Sequence, residues 1–258
     1  MEALFTYAAN VAAAIRTSLM DRTNFILQSA GMTLNDVFFL LLWYMFFAGF
    51  KRVGAWGLND VALLLGLIMC IVAISGIFFG GYRDMAAAIL RGEIDALLTQ
   101  PKGVLARLLA RESIATAWGD LVIGVWMLLT FAALGWRDVP LVLICLVSGT
   151  TVYVASAVAY ASLAFWFSGA RSFARDLTDF MLLFSSYPGS IYSGMTKFVA
   201  FTLLPAGFVV LAPVTFLRAP SLASLATLVA SALVYGGLAT AIFRLGMRRY
   251  RRGEVAVG

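Results

Sequence analysis

Apolar residues run almost unbroken through five stretches of this chain: Val37 to Phe50, Val61 to Gly80, Ala117 to Trp136, Leu141 to Ser168 and Leu222 to Phe243. Such runs approach the roughly 20 residues of a helix that crosses a bilayer. A further region, Leu177 to Leu217, is about twice as long as one crossing requires. Pro188, Gly189, Gly194, Pro205, Gly207 and Pro213 punctuate it. The pattern predicts one crossing and then a broken, re-entrant or interfacial helical hairpin over 195–218, buried against protein so that the freed backbone groups are satisfied. Two full crossings are the alternative, and they would move the C-terminus to the opposite side.

Polar punctuation gives the connections. Over residues 1–30, Leu4, Phe5, Val11, Ile15, Leu19, Phe25 and Ile26 alternate with Arg16, Asp21 and Arg22, the pattern of a helix lying at the membrane interface. A poorly ordered leader is the plainer reading. The same charges interrupt the compact apolar core that a cleavable signal peptide would need. Lys and Arg set the orientation. Arg16, Arg22, Arg83, Arg91, Lys102, Arg107, Arg111, Arg171, Arg175, Arg244, Arg248, Arg249, Arg251 and Arg252 fall on one side, against Lys51, Arg52, Arg137, Lys197 and Arg218 on the other. The richer side is expected to be cytoplasmic and to hold both termini, so the number of crossings is even, and six is the smallest number that fits. The expectation is an all-α membrane protein forming a single transmembrane domain over 1–258.

Composition agrees with that class and removes others. Hydrophobic residues make up 62% of the chain and charged ones 12%, well beyond the apolar share of soluble domains. The net charge of +6 comes from basic residues at span ends, with no aromatic-interleaved patch for nucleic acid. Cys70 and Cys145 lie within apolar runs and read as small core residues. The chain has no histidine, no phosphate-binding glycine loop and no nucleophile-and-base set, so catalysis by this chain is not expected. Asp36, Asp60, Asp120, Asp176 and Asp179 stand near the ends of runs and read as helix caps, leaving no acid at mid-membrane for a proton relay. Phe165, Trp166 and Phe167 are expected to form an aromatic belt. Tyr187, Pro188 and Tyr192 are candidates for lining a pathway, because proline and glycine free backbone groups there and tyrosines add polar tips. They equally suit the aromatic end of a span.

The segment 82–113 is the most distinctive connection. Leu90, Ile94, Leu97 and Leu98 recur at helical spacing, Arg91, Glu93 and Asp95 fall on the other side, and Pro101 stops the helix. Val104, Leu105, Leu108 and Leu109 then share a second apolar face, which predicts two short helices broken at Pro101 and Gly103. The segment could lie on lipid headgroups, but Glu93 and Asp95 suit a protein groove better than an anionic bilayer surface. A protein-docking loop is the stronger reading.

Gly92, Ile94, Asp95, Leu98 and Pro101 form a Gly-x-Ile-Asp-x-x-Leu-x-x-Pro sequence after the second span. With Tyr187-Pro188, the spacing of Pro205 and Pro213, and the terminal Gly246-Met-Arg-Arg-Tyr250, it resembles the permease subunits of type-two ATP-binding-cassette exporters, especially a six-span branch. The likeness extends over nearly the whole chain; the basic tail Arg248 to Arg252 departs from it. The resemblance implies an N-terminal interfacial helix and a coupling helix between spans two and three. It also implies an outer-side hairpin before the last span and a location in the prokaryotic inner membrane. Gly92, Glu93, Ile94, Asp95, Leu97, Leu98 and Pro101 would dock a separate nucleotide-binding subunit. That partner would bind ATP and magnesium, while this chain binds no cofactor. A second, different permease chain is implied as well, giving a heterodimer that exports a hydrophobic or amphiphilic compound. A membrane scaffold that recruits a soluble partner through 82–113 is the alternative; a proton-driven carrier is disfavoured by the lack of a central acid and of an internal repeat.

Overall fold

The computed structural model describes residues 2–50, 52, 56–99, 103–131 and 134–253, without the side chains of residues 2–4. Pro101 lies outside the described residues. All elements among the described residues are helical: α1 (Glu2–Met20), α2 (Arg22–Gly49), α3 (Leu58–Phe79), α4 (Met85–Leu90), α5 (Asp95–Leu98), α6 (Val104–Leu109), α7 (Thr116–Thr130), α8 (Val139–Ser162), α9 (Ala170–Ser185), α10 (Gly194–Phe201), α11 (Ala212–Arg218) and α12 (Leu222–Arg251), joined in places by short 3₁₀ or π turns. Four stretches are long and apolar enough to cross a membrane: Arg22–Gly49, Leu58–Leu90, Val139–Phe165 and Leu222–Arg251. Thr116–Thr130 and Gly207–Arg218 are shorter apolar helices.

The centre is α3, apolar on all sides and buried almost continuously from Val61 to Ile77, as expected of a helix surrounded by others. It packs against α7 and α8, with α2 along α7 and α12 along α8. Small residues set the separations: a Cβ on Gly124 would meet Cys70 Sγ at 2.8 Å, and one on Gly66 would meet the Leu128 side chain at 2.9 Å. Such positions let helix backbones approach closely where apolar surroundings give little other driving force. Across α8 and α12, the Ser148 hydroxyl donates to the Leu228 carbonyl at 2.9 Å. Cys70 and Cys145 are buried and unbridged. By contrast α2 and α12 leave Phe38, Leu42, Met45, Leu233 and Val234 exposed, faces suited to lipid or another chain.

Several expectations change. Asp21 caps α2 by accepting from the Asn24 amide at 3.0 Å, so residues 22–30 belong to the first long helix and only Glu2–Met20 forms a separate one. Asp36 therefore sits in the middle of α2 and is 3% exposed, not a cap. Asp60 is one, accepting from the Gly57 amide at 2.8 Å and pairing with Arg218 at 2.7 Å. Phe165 leaves the expected belt: its ring is 1% exposed and packs against Phe243 and Tyr250 of α12, where a Cβ on Gly246 would collide with it. Between 177 and 217 the helix ends at Ser185, and α10 and Gly207–Arg218 follow as two short helical pieces. The second opens with a π turn, Gly207–Leu211, just before Pro213, which has no amide to continue the ordinary ladder.

Gly81 tests the packing most directly, since a Cβ there would run into the Leu108 carbonyl. Gly81→Ala should lower the apparent melting temperature in detergent by about 2–12 °C, the effect of roughly 1–3 kcal/mol of overpacking. Gly237→Ala, with nothing within 4 Å of the added methyl, should leave it unchanged or raise it. Equal behaviour of the two variants, followed by size-exclusion of the heated protein, would contradict the close approach.

Candidate functional site

The segment 82–113 folds back on the bundle. A 3₁₀ turn, Gly80–Tyr82, ends α3 and leads into α4, whose Met85 to Ile89 are all buried. The single amphipathic helix expected across Leu90 to Leu98 is interrupted. The Gly92 amide donates to the Ile89 carbonyl at 3.2 Å and the Glu93 amide to Ala88 at 3.1 Å, while Gly92 takes a left-handed φ of 71°. This is a Schellman stop, which a glycine accommodates without strain. The chain then drives Ile94 into the core at 0% exposure and starts α5 at Asp95. Asp95 is exposed and Leu97 and Leu98 are half-buried. Val104 to Leu109 form α6, which returns with Leu108 buried against the Gly80–Tyr82 turn.

Ion pairs lock this fold. Arg91 Nε donates to Glu93 Oε1 and Arg91 Nη2 to Asp84 Oδ2, each at 2.6 Å, and Arg111 Nη1 donates to Glu93 Oε2. Hydrogen bonds from Arg91, then Arg111, hold the Glu93 carboxyl below the usual carboxylate range. Glu93 thus faces inward to the loop's own arginines, whereas Asp95 is presented outward beside the Tyr250 hydroxyl at the end of α12.

A second feature lies between α2, α3, α7 and α9. A cavity of about 590 Å³ is lined by apolar side chains including Phe39, Leu65, Ile68, Met69, Leu182 and Tyr187, together with Asn35, Asp36, Arg83, Asp120 and Asp179. Asp36 and Asp120 are 3% and 4% exposed and their carboxyl groups face each other. Asp36 Oδ2 is buried without a hydrogen-bond partner. Arg83 also lines two neighbouring cavities of about 330 and 430 Å³, where it is joined by Arg171, Arg175 and Arg111.

Of the pathway candidates, Tyr187 lines the large cavity and its ring meets Trp43 at 6.0 Å. Pro188 is buried. Tyr192 turns back instead, stacking on Phe184 at 5.4 Å and donating to its carbonyl at 2.7 Å. The facing aspartates were missed because Asn35-Asp36 before an apolar run has the look of a helix start. The legible signal against that was Asp21, which begins the same helix earlier and puts Asp36 in mid-helix.

The family model described as ABC-2 family transporter protein matches residues 33–253. That match includes both the folded-back loop and all the cavity-lining helices except the first turns of α2. No curated protein and no solved structure matches the chain.

The loop's lock has a defined pH behaviour. Glu93 is depressed in the folded loop, so its contribution is present above the ordinary carboxylate pKa of about 4.3 and is lost as pH falls through the lower native value. Amide exchange in peptides covering 84–99, corrected for intrinsic rate, should be the same at pH 6 and pH 8. Glu93→Gln should speed it about threefold at pH 7, since exposed pairs of this kind are individually weak. Unchanged exchange in that variant would show that the pairs do not hold the loop.

Proposed function

This chain belongs to the ABC-2 transporter family, and we propose from that premise that it is the membrane-spanning subunit of an ATP-driven exporter in the prokaryotic cytoplasmic membrane. The chain crosses six times with both termini in the cytoplasm: the four long helices and Thr116–Thr130 supply five crossings, the stretch beginning at Leu177 supplies the other, and 195–218 is the hairpin before the last span. The basic end, with Arg91, Arg107, Arg111, Arg171, Arg175 and the arginines closing α12, faces the cytoplasm. A separate subunit binds ATP and magnesium and hydrolyses the nucleotide. A second permease chain covers one of the bare faces of α2 or α12, as a heterodimer.

The observation that carries this reading is the form of the 82–113 loop. Its Schellman stop, buried Ile94 and Arg–Glu–Arg pairing make it firm, while Asp95 points outward and Leu97 and Leu98 are half-open. A firm, outward-facing element can transmit force from a docked ATPase, which a mobile loop could not. Gly92 and Glu93 shape the element, Asp95, Leu97 and Leu98 meet the partner, and Pro101 belongs to the same motif in sequence. The cargo is a hydrophobic or amphiphilic compound, in keeping with the mostly apolar wall of the 590 Å³ cavity.

Purification of the tagged chain in mild detergent from its native membrane should bring down a nucleotide-binding subunit, and the complex should hydrolyse ATP. Asp95→Lys should leave the chain folded while lowering ATP-driven amphiphile movement in vesicles about tenfold relative to ATP hydrolysis, equivalent to roughly 1.4 kcal/mol of lost coupling. Wild-type coupling in that variant removes Asp95 from the docking surface. A chain that purifies alone and without ATPase activity overturns the exporter reading.

A further inference from the structure

The large cavity holds more acid than base. Asp36, Asp120 and Asp179 line it against a single guanidinium, Arg83. Two of those carboxylates are nearly sealed from solvent, at 3% and 4% exposure, and face each other. Two carboxyl groups at contact in a poorly hydrated wall do not both ionise and hold a proton between them, and the negative charge they keep needs hydrogen-bond donors to offset its lost hydration. Asp36 Oδ2 has none. The Asn35 side chain lies beside Asp36, and Arg83 is shared with two adjoining cavities that carry further arginines. The remaining wall is apolar, from Phe39 on α2 through Leu65, Ile68 and Met69 on α3 to Leu182 and Tyr187. A guest that fits all of this has an apolar body and a compact cationic head with N–H donors.

We propose that the cavity between α2, α3, α7 and α9 is a recognition site for a cationic amphiphile, whose protonated amine is seated at the Asp36 and Asp120 carboxylates and whose apolar part lies along Phe39, Ile68 and Met69. The proposal rests on the transport reading above and narrows its cargo class. The ammonium supplies the donors that Asp36 Oδ2 lacks and takes the place of the proton the two acids share, which leaves as both ionise against it. Arg83 competes with it as the resident cation: it tunes affinity without being the ligand. A neutral amphiphile of the same length would fill the apolar wall but leave the acids as they are, and a carboxylate or phosphate head would be repelled. Specificity of this kind comes from the buried charges, since the apolar lining discriminates little between equal chains.

The test uses the complete complex, with its ATPase subunit and any second permease, in phosphatidylcholine nanodiscs, with empty discs as the partition control. Radiolabelled dodecylamine is the probe; unlabelled dodecylamine, dodecanol and dodecanoate are the competitors. Dodecylamine should bind saturably and be displaced by itself at least about tenfold better than by dodecanol or dodecanoate. Asp36→Asn and Asp120→Asn should each weaken it about tenfold or more. Arg83→Gln should bind it more tightly than the wild type, a gain that general damage to the fold cannot produce. If the two acids only form an internal ion pair with Arg83, the wild-type complex shows no saturable, amine-selective binding, and the proposal falls. Equal displacement by dodecanol or dodecanoate, or wild-type affinity in Asp36→Asn and Asp120→Asn, also overturns it. A complex that assembles and hydrolyses ATP but ignores head-group charge refutes the cationic cargo alone, whereas a chain without an ATPase refutes the transport premise along with it.

Discussion

Everything in this molecule is arranged around the need to surround α3. A helix that is apolar on every side and buried from Val61 to Ile77 cannot lie at an edge, and its neighbours must come close enough to leave no unfilled space. Gly66 and Gly124 permit that approach along α7, and Gly149 permits it on α8, where a Cβ would meet Ile71 and the Val209 carbonyl. Once α3 is enclosed, the chain leaving it at Gly80 has little freedom. The turn at Gly80–Tyr82 presses on Leu108, which fixes where α6 returns and therefore where the intervening loop stands.

Charge is distributed by the same enclosure. Carboxylates at the loop end meet arginines in partly exposed pairs, which cost little to form and hold shape more than they add stability. Asp60 does similar work at the opposite end of α3, bridging the helix start to Arg218, whose guanidinium lies 4.2 Å over the Trp56 ring. Asp36 and Asp120 are different in kind, because α2 and α7 bring them together away from water with only Arg83 nearby to compensate. Among the described residues, the charge pairs at the two ends of α3 join neighbouring elements, while Asp36 and Asp120 lie buried between α2 and α7.

Much of this was legible in the sequence because bilayer-length apolar runs are long, redundant signals. Val61 to Gly80 locates α3 almost to its ends and Leu222 locates the start of α12, which runs about two turns beyond Phe243 to Arg251, and the proline and glycine spacing after Leu177 marks where helices are broken. Local chemistry was harder to read. The interruption at Gly92 depends on one left-handed residue within a stretch whose apolar periodicity suits an unbroken helix. Phe165 looks like part of an aromatic triplet until Gly246, distant in sequence, offers it a slot. The pairing of Asp36 with Asp120 has no local signature at all: it is created by the packing of two helices whose contact the sequence does not announce.

The Tyr250 hydroxyl lies near Asp95, which brings the end of α12 up to the loop. A 30-residue helix is about 45 Å long, so a tilt of about 5° at its far end displaces its near end by about 4 Å. Tyr250 sits at that near end, with its ring packed edge-on against Phe165 and its hydroxyl near Asp95. The angle of the last helix and the place of α5 are therefore geometrically linked, so that one cannot be set without regard to the other.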